Sequence, residues 1–435
     1  MSLSLENPSS YYTMTRKYDL YYRDLEGDIE AEVVIIRGGF SGINTALELA
    51  ERGITNVVML EANYLGFGGS GRNGGHEMAG IGHDLENIEK DVGPEGLKAI
   101  FEISDLGASL IKQHIARYDI QADFRHGYGY LGFNKRQGKL LQSWAKGFQS
   151  LNPDQEITYL EGYEVRSIVG SDIYTCALKH MGNGHIHSLN LLLGQAQAFT
   201  EIHGSRIFEQ SPVLEVNYGT QVPARTAKGS VKADKLLFAC GAFLNKLDRS
   251  LDNSTINVYA INTVTEPLTN EMIERISPIR GAFSDITPII DYYRITADNR
   301  LMYGTAGMLL EYVPLDLKAW NHKKMLRLFP YLATTKIDLA WGGPMDCSLN
   351  LFPQVGTLDE HPNVFYVQGY SGFGVTPSQV IARVIADGMS GGSPAWDAMS
   401  SIPRKRIFGK DRFRAVLCSL GKVSRQLNAY RVGRR

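Results

Sequence analysis

Four short, unbroken apolar runs punctuate this chain: Val33-Val34-Ile35-Ile36, Val57-Val58-Met59-Leu60, Leu236-Leu237-Phe238-Ala239-Cys240 and Val364-Phe365-Tyr366-Val367. Runs of this length with no polar alternation predict strands buried on both faces, as in a parallel sheet packed between helices. Helical periodicity fills Ile43 to Arg52, roughly 84–91 and 95–117, then 189–202 and about 376–390. Residues 123–134, 206–208 and 211–216 read as strands or strand pieces, and 256–265, 289–296 and 300–305 as antiparallel strands. There is no internal repeat or low-complexity linker.

The first apolar run enters Arg37-Gly38-Gly39-Phe40-Ser41-Gly42 and then a helix, the order of a dinucleotide-binding βα unit. The pattern G-x-G-x-x-G would place glycine at 37, 39 and 42; positions 39 and 42 comply and position 37 is arginine. Gly39 lets backbone approach a pyrophosphate at the helix N-terminus, and Gly42 lets the helix pack close to the strand. Arg37 adds a side chain where the turn needs none. Strain in that turn impairs cofactor binding, unless the guanidinium swings toward the pyrophosphate and offsets part of the cost. The second strand ends in Glu61, 19 residues beyond Gly42, the place of an acid that accepts from the adenosine ribose hydroxyls.

Next comes Gly66-Phe67-Gly68-Gly69-Ser70-Gly71-Arg72-Asn73-Gly74-Gly75, six glycines in ten residues. Ordering so many glycines is entropically costly, so the loop implies close approach of backbone to a ligand.

Composition narrows the class. The chain has 435 residues, 43% hydrophobic and 21% charged, with net charge −1, so nothing global points to nucleic acid. Cys176, Cys240, Cys347 and Cys418 are far apart and lack metal-ligand spacing, as expected of thiols in a reducing compartment. The tyrosine-rich first residues carry no basic-then-apolar signal and no run approaches a membrane span, so a cytoplasmic location is expected. Residues 404–435 hold eleven Lys or Arg against one acid, with an apolar stripe at Phe413, Val416, Leu417, Leu420 and Val423. Such a stripe either packs on its own protein or lies on an anionic membrane surface.

The order of segments resembles the FAD-dependent D-amino-acid-oxidase (DAO) superfamily over nearly the whole chain. Gly68-Gly69-Ser70-Gly71-Arg72-Asn73-Gly74-Gly75 is similar to the G-A-S-G-R-N-G-G of the gamma-glutamylputrescine oxidoreductase branch. Gly184-His185-Ile186-His187, Trp341-Gly342-Gly343 and Gly369-Tyr370-Ser371-Gly372-Phe373-Gly374 match the same branch. The resemblance implies an α/β fold, with a Rossmann-like FAD-binding domain of the GR2 type interleaved with a substrate domain on a large mixed β-sheet. The implied partition is an N-terminal extension (1–27), flavin segments 28–120, 184–255 and 346–400, substrate segments 121–183 and 256–345, and the basic tail 401–435.

It further implies that Gly38, Gly39, Ser41 and Gly42 hold the FAD pyrophosphate and Glu61 the ribose. Ser70, Arg72, Asn73, Gly74 and Gly75 would line the pyrophosphate and isoalloxazine, Val213 would meet the adenine, and Gly241 would lie under the dinucleotide. Gly372, Phe373, Gly374 and Val375 would close over the ring. Phe373 stands where the family commonly has His, and is a candidate for altered flavin electronics.

The family chemistry is hydride transfer from an amine carbon to flavin, hydrolysis of the imine, and reoxidation by oxygen or a quinone. A gamma-glutamylated diamine is the first-choice substrate. A small amino acid such as glycine, sarcosine or a D-amino acid is the alternative, and a non-catalytic protein of the same fold disabled by Arg37 is another. His76 is a candidate for chemistry at the ring and Arg294 for pairing a substrate carboxylate, with a structural ion pair to Asp291 or Asp298 as the competing reading. Met78 and Tyr128 are candidate pocket walls. His185 and His187 read as loop hydrogen-bonders, so no metal is expected.

Overall fold

A computed structural model describes residues 9–82, 88–244, 247–287, 289–308 and 314–407. Among these residues two sheets carry the fold. The first runs in the order Gln354–Leu358, His361–Gln368, Gly229–Phe238, Gly27–Ile36, Val57–Leu60, Arg206–Phe208, with Val222–Arg225 and Glu215–Val216 continuing from Gly229–Phe238. Its centre is parallel: Ile36 lies beside Phe238 on one side and Leu60 on the other. All four residues of Val33–Ile36 and of Val57–Leu60 are buried, as their continuous apolar pattern requires. Each such side chain contributes about 1.5–3 kcal/mol by leaving water.

The helix Phe40–Glu51 packs on this sheet and is itself covered by Ser188–Gln197 and Pro377–Ser390. It is buried almost all round, and the Asn44 side-chain N–H groups donate internally, to the Phe40 carbonyl and to Gln195.

The second sheet runs Ile337–Ser348, Thr255–Pro267, Arg300–Met308, Asp291–Ile295, Ala282–Asp285, Arg125–Gly132, Cys176–His185, His76–Glu77, with Ile157–Glu161 also paired to Cys176–His185. It is mixed, because Ala282–Asp285 and Arg125–Gly132 are parallel while the other pairs are antiparallel. Helix Leu317–Leu328 covers one region of it and Lys135–Leu151 another. The glycine-rich loop joins the two sheets. It leaves the end of Val57–Leu60 and delivers His76 into register with His185.

Several elements differ from the pattern-based reading. The helical stretch expected at 95–117 is two helices, Glu89–Ile103 and Leu106–Arg117, and the former carries a break at Gly93 (φ 68°). The strands Cys176–His185 and Ile337–Ser348 were not legible, since glycine and polar residues interrupt their alternation. Tyr11 and Tyr12 are buried although they precede the first strand. No helix among the described residues is long and apolar enough to cross a membrane. Of the basic stretch, Arg404 to Ile407 is described and runs against the body, with the Ile407 N–H donating to the Asn253 carbonyl; its apolar stripe and Cys418 lie outside the described residues.

Candidate active site

A cavity of about 640 Å³ opens where Gly27–Ile36, Val57–Leu60 and Gly229–Phe238 end, and it extends to the face of the second sheet. This is the crevice beyond the carboxyl ends of parallel strands in which α/β folds bind nucleotides.

At its floor lies the N-terminus of Phe40–Glu51. Gly39 is its extended N-cap, without a side chain to satisfy the first N–H groups. Ser70 does so from the facing loop, its hydroxyl accepting from the Phe40 N–H at 2.9 Å. Ser41 meets the Tyr370 hydroxyl at 2.8 Å. A Cβ on Gly42 would fall 2.2 Å from the Arg37 carbonyl oxygen, so close packing explains that glycine. Gly38, Gly39, Ser41, Ser70 and Gly241 all line the cavity; Gly42 supports it from behind.

Across the floor stands Arg72. Its guanidinium lies over the Phe67 ring, 4.4 Å from the centroid, and Nη1 reaches the Gly342 carbonyl at 3.4 Å. Nε and Nη2 are buried without a protein partner. Burial holds the group below its ordinary value, with Tyr64 and Tyr259 opposing. Asn73 braces this loop: its side-chain N–H donates to the Gly69 and Ser70 carbonyls, and its oxygen accepts from Gly75 N–H and the Ser188 hydroxyl.

Arg37 occupies the opposite end. Its φ is +90°, a conformation that disfavours side chains. Nη1 pairs with Glu61 Oε1 at 3.1 Å, and Nη2 reaches the Phe243 carbonyl at 3.4 Å. Glu61 also accepts from the Gly38 N–H through Oε2 and from the Asn63 N–H through Oε1.

The far end of the cavity is walled by the second sheet. His76, Met78, Tyr128, Ser284, Thr287, Ile289, Ile290 and Tyr292 line it, facing Gly372, Phe373, Gly374 and Val375. His76 Nδ1 lies 3.1 Å from the Tyr128 hydroxyl, and its Nε2 is buried without a protein partner. Burial, with help from the Arg294 charge, pulls the imidazole pKa down to about 3, so it is neutral. A Cβ on Gly74 would come 2.6 Å from the Tyr292 ring, which explains a glycine at this turn. Thr376 caps no residue of its own helix; its hydroxyl accepts from the Met78 N–H.

Three sequence candidates stand elsewhere. Arg294 does not line the cavity: Nε donates to the Gly74 carbonyl at 2.8 Å, Nη2 donates to the Tyr12 hydroxyl at 3.1 Å, and the side chain is buried. Neither Asp291 nor Asp298 pairs with it; these acids hold Lys324 and Arg300. Gly75 lies behind the lining, with the Ile186 carbonyl 2.3 Å from where its Cβ would be. Val213 packs against the apolar cluster on the outer face of the first sheet and does not reach the cavity. His185 and His187 bond separately, to the Arg280 carbonyl and to the Asn190 N–H and Thr15.

The lining residues unforeseen in the sequence include Tyr292, Ser284, Thr287, Phe243 and Asp346. Tyr292 alternates with buried Tyr293 in a strand, which signals opposite faces but not which one meets a ligand. Asp346, whose carboxylate accepts from the Gly369 N–H, had no local signal at all.

Residues 32–388 match the family model described as FAD dependent oxidoreductase (DAO). The chain is 34% identical to gamma-glutamylputrescine oxidoreductase of Escherichia coli (strain K12), over 96% of this chain and 97% of that one. It is 32% identical to the probable oxidoreductase OrdL of Haemophilus influenzae, over 93% of each. Among solved structures, glycine oxidase from Geobacillus kaustophilus superposes with a TM-score of 0.70 at 18% identity, covering 87% of this chain and 99% of that one. L-proline dehydrogenase from P. horikoshii superposes with 0.68 at 18% identity, covering 85% and 95%. At such identities these two likenesses concern the fold. Together with the crevice and its glycine-rich walls, the family match is decisive: this chain belongs to the DAO family of FAD-dependent oxidoreductases.

Proposed function

We propose that the cavity binds FAD and that the protein oxidises the C–N bond of an amine, a gamma-glutamylated diamine being the first-choice substrate. Residues of the crevice fit the dinucleotide at its middle and ring end. Arg72, with Nε and Nη2 unpartnered, lines the same cavity as the N-terminus of Phe40–Glu51, two groups suited to a pyrophosphate. Gly38, Gly39 and Gly74 line the cavity between the sheets. Ser41, Ser70, Asn73 and Gly241 would complete this cradle, with Gly372, Phe373, Gly374 and Val375 at the ring. When bound, the flavin supplies the hydride acceptor.

The observation that carries the reading is the buried, unpartnered Nε2 of His76. An amine gives up hydride only after losing its ammonium proton. In the tautomer whose Nδ1 donates to the Tyr128 hydroxyl, Nε2 is an acceptor at the wall of the cavity, on an imidazole that burial keeps neutral. Ser284 bonds the Tyr128 hydroxyl in turn. Burial lowers the basicity of Nε2, so proton acceptance requires the charge it gains to be met by the substrate or passed on.

Around it, Met78, Ile289 and Ile290 offer an apolar wall for an aliphatic chain, and Thr287 and Ser284 offer hydroxyls. Among the described lining residues the only Arg or Lys are Arg37 and Arg72, both on the dinucleotide side. A carboxylate beside the reacting carbon therefore has no cation to pair with, because Arg294 is spent on Gly74 and Tyr12. This favours a primary amine remote from a carboxylate over glycine, sarcosine or a D-amino acid.

The test is dye reduction and peroxide release by the flavin-loaded protein on gamma-glutamylputrescine, putrescine, glycine, sarcosine and D-alanine. Preference for the gamma-glutamylated diamine is expected; preference for any of the three amino acids overturns the substrate assignment. A second reading, a protein of this fold that does not turn over, draws on the contact between Arg37 and Glu61. It would be recognised by a chain that stays colourless in excess FAD.

A further inference from the structure

We propose that Arg37 is an internal competitor for the adenosine end of the crevice, so that FAD is retained only when the guanidinium releases Glu61. The proposal rests on the reading of this cavity as a flavin site. It is carried by where Arg37 reaches, and by how fully Glu61 is already used.

Arg37 ends the central strand Gly27–Ile36. Glu61 follows the neighbouring strand on one side, and Phe243 follows the neighbouring strand on the other. By bonding Glu61 at 3.1 Å and the Phe243 carbonyl at 3.4 Å, with its guanidinium 5.7 Å from the Phe243 ring centre, Arg37 spans the crevice mouth from wall to wall. A dinucleotide lying across the strand ends must pass this line.

A carboxylate has about four lone-pair sites for hydrogen bonds. Glu61 has committed three: one to Gly38 N–H, one to Asn63 N–H and one to Arg37. A ribose diol seeking two acceptor positions finds one. The backbone donors are fixed by the turn, so Arg37 is the partner that must yield. The pair is well placed to resist: 15% of the Arg37 side chain and 4% of that of Glu61 are exposed, so solvent screens it little. A long side chain has one compensation open to it, since a guanidinium released from Glu61 lies near enough to the helix N-terminus to meet a phosphate.

Two causes of weak retention are separable here. Arginine at φ +90° strains the turn, and its guanidinium competes for Glu61. Alanine keeps a Cβ, and with it the strain, but removes the competitor; glycine removes both.

The experiment is fluorescence titration of FAD, and separately of FMN, into the full-length protein stripped of flavin, for the unsubstituted chain, Arg37→Ala, Arg37→Gln and Arg37→Gly. Circular dichroism melts verify that each is folded, and Arg37→Gln preserves side-chain bulk should Arg37→Ala be unstable. Competition predicts at least tenfold tighter FAD binding in Arg37→Ala and Arg37→Gly, with an intermediate gain in Arg37→Gln. It also predicts unchanged FMN affinity, because FMN lacks the adenosine half. Equal FAD affinity in the unsubstituted chain and Arg37→Gly overturns the proposal and leaves the flavin reading intact. A gain confined to Arg37→Gly also overturns it, and assigns the effect to backbone strain. A gain of the same size for FMN overturns it too, since the effect would not lie at the adenosine end. If folded Arg37→Gly binds neither flavin, the flavin reading itself fails and the proposal falls with it.

Discussion

The Nδ1 of His76 and the hydroxyl of Tyr128 lie 3.1 Å apart, tying the residue that follows the glycine-rich loop to the strand Arg125–Gly132 at the wall of the cavity. The two rings meet edge to face, and Tyr292 closes on His76 from the other side with centroids 5.2 Å apart. The imidazole is thereby fixed in orientation, with Nε2 left without a protein partner. Replacing His76 with Gln should slow flavin reduction by the amine about 10²–10⁴-fold, the usual worth of a positioned acid–base group. Flavin content should not change. Anaerobic stopped-flow reduction, with the bound flavin spectrum as control, separates the two.

Arg294 should act on the architecture of the glycine loop. It anchors the Gly74 carbonyl to Tyr12, a residue from before the first strand. Arg294→Gln should therefore cost roughly 1.5–3 kcal/mol, the range for hydrogen bonds to a charged group, and should loosen flavin. Measured by urea unfolding and flavin release, it should weaken all substrates alike. A KM rise restricted to substrates bearing a carboxylate would instead place Arg294 in the substrate site.

Ser70 stands in for a missing helix cap. Its hydroxyl accepts from the Phe40 N–H where Gly39 cannot. Ser70→Ala should destabilise the protein by about 0.5–2 kcal/mol, the usual cost of losing a capping oxygen, and Ser70→Thr should cost less. Equilibrium denaturation of the flavin-free chain reads both.

Gly42→Ala should be worse. The new methyl would stand 2.2 Å from the Arg37 carbonyl oxygen, and a backbone oxygen cannot rotate away. A loss of about 1–3 kcal/mol is expected from overpacking, visible as a lower midpoint in urea.

Glu77 gives the protein a pH dependence of its own. Its carboxylate is buried, and burial raises the pKa from 4.5 to about 7. A group raised on folding stabilises most below its unfolded pKa and loses that contribution as pH rises through the folded one. Glu77→Gln should therefore gain on the unsubstituted protein between about pH 4.5 and 7 and keep the advantage above. The difference in Tm across that interval is the measurement; a flat difference would show that Glu77 does not titrate there. The buried histidines work in the opposite sense. His76 and His187 are held down to about 3 by burial, so both cost stability as pH falls from 6.5 toward 3, and the variant comparison isolates Glu77 from them.

The sequence by itself determined the central parallel strands and the crevice between them. Val33–Ile36 and Val57–Leu60 are apolar without interruption, and only burial on both faces suits such a run. The spacing from Gly39 and Gly42 to Glu61 is local and short, so the tip of the first strand, the turn and the end of the second strand were legible together. The defect at position 37 was legible too. What its side chain does was not, because reaching both Glu61 and Phe243 depends on strands 24 and 206 residues away in the chain.

Tertiary structure also decided the far wall. Tyr292 and Arg294 share one face of a strand by alternation, yet Tyr292 meets the cavity while Arg294 passes beneath Gly74. Period two says which residues point together; it does not say where the neighbouring loop ends. Lysine, glycine, asparagine and histidine interrupt Cys176–His185, and register with other strands, not local propensity, holds it in the sheet. The dinucleotide side is written in a continuous motif, whereas the side that meets the substrate is assembled from strands whose pairing is set only by the folded core.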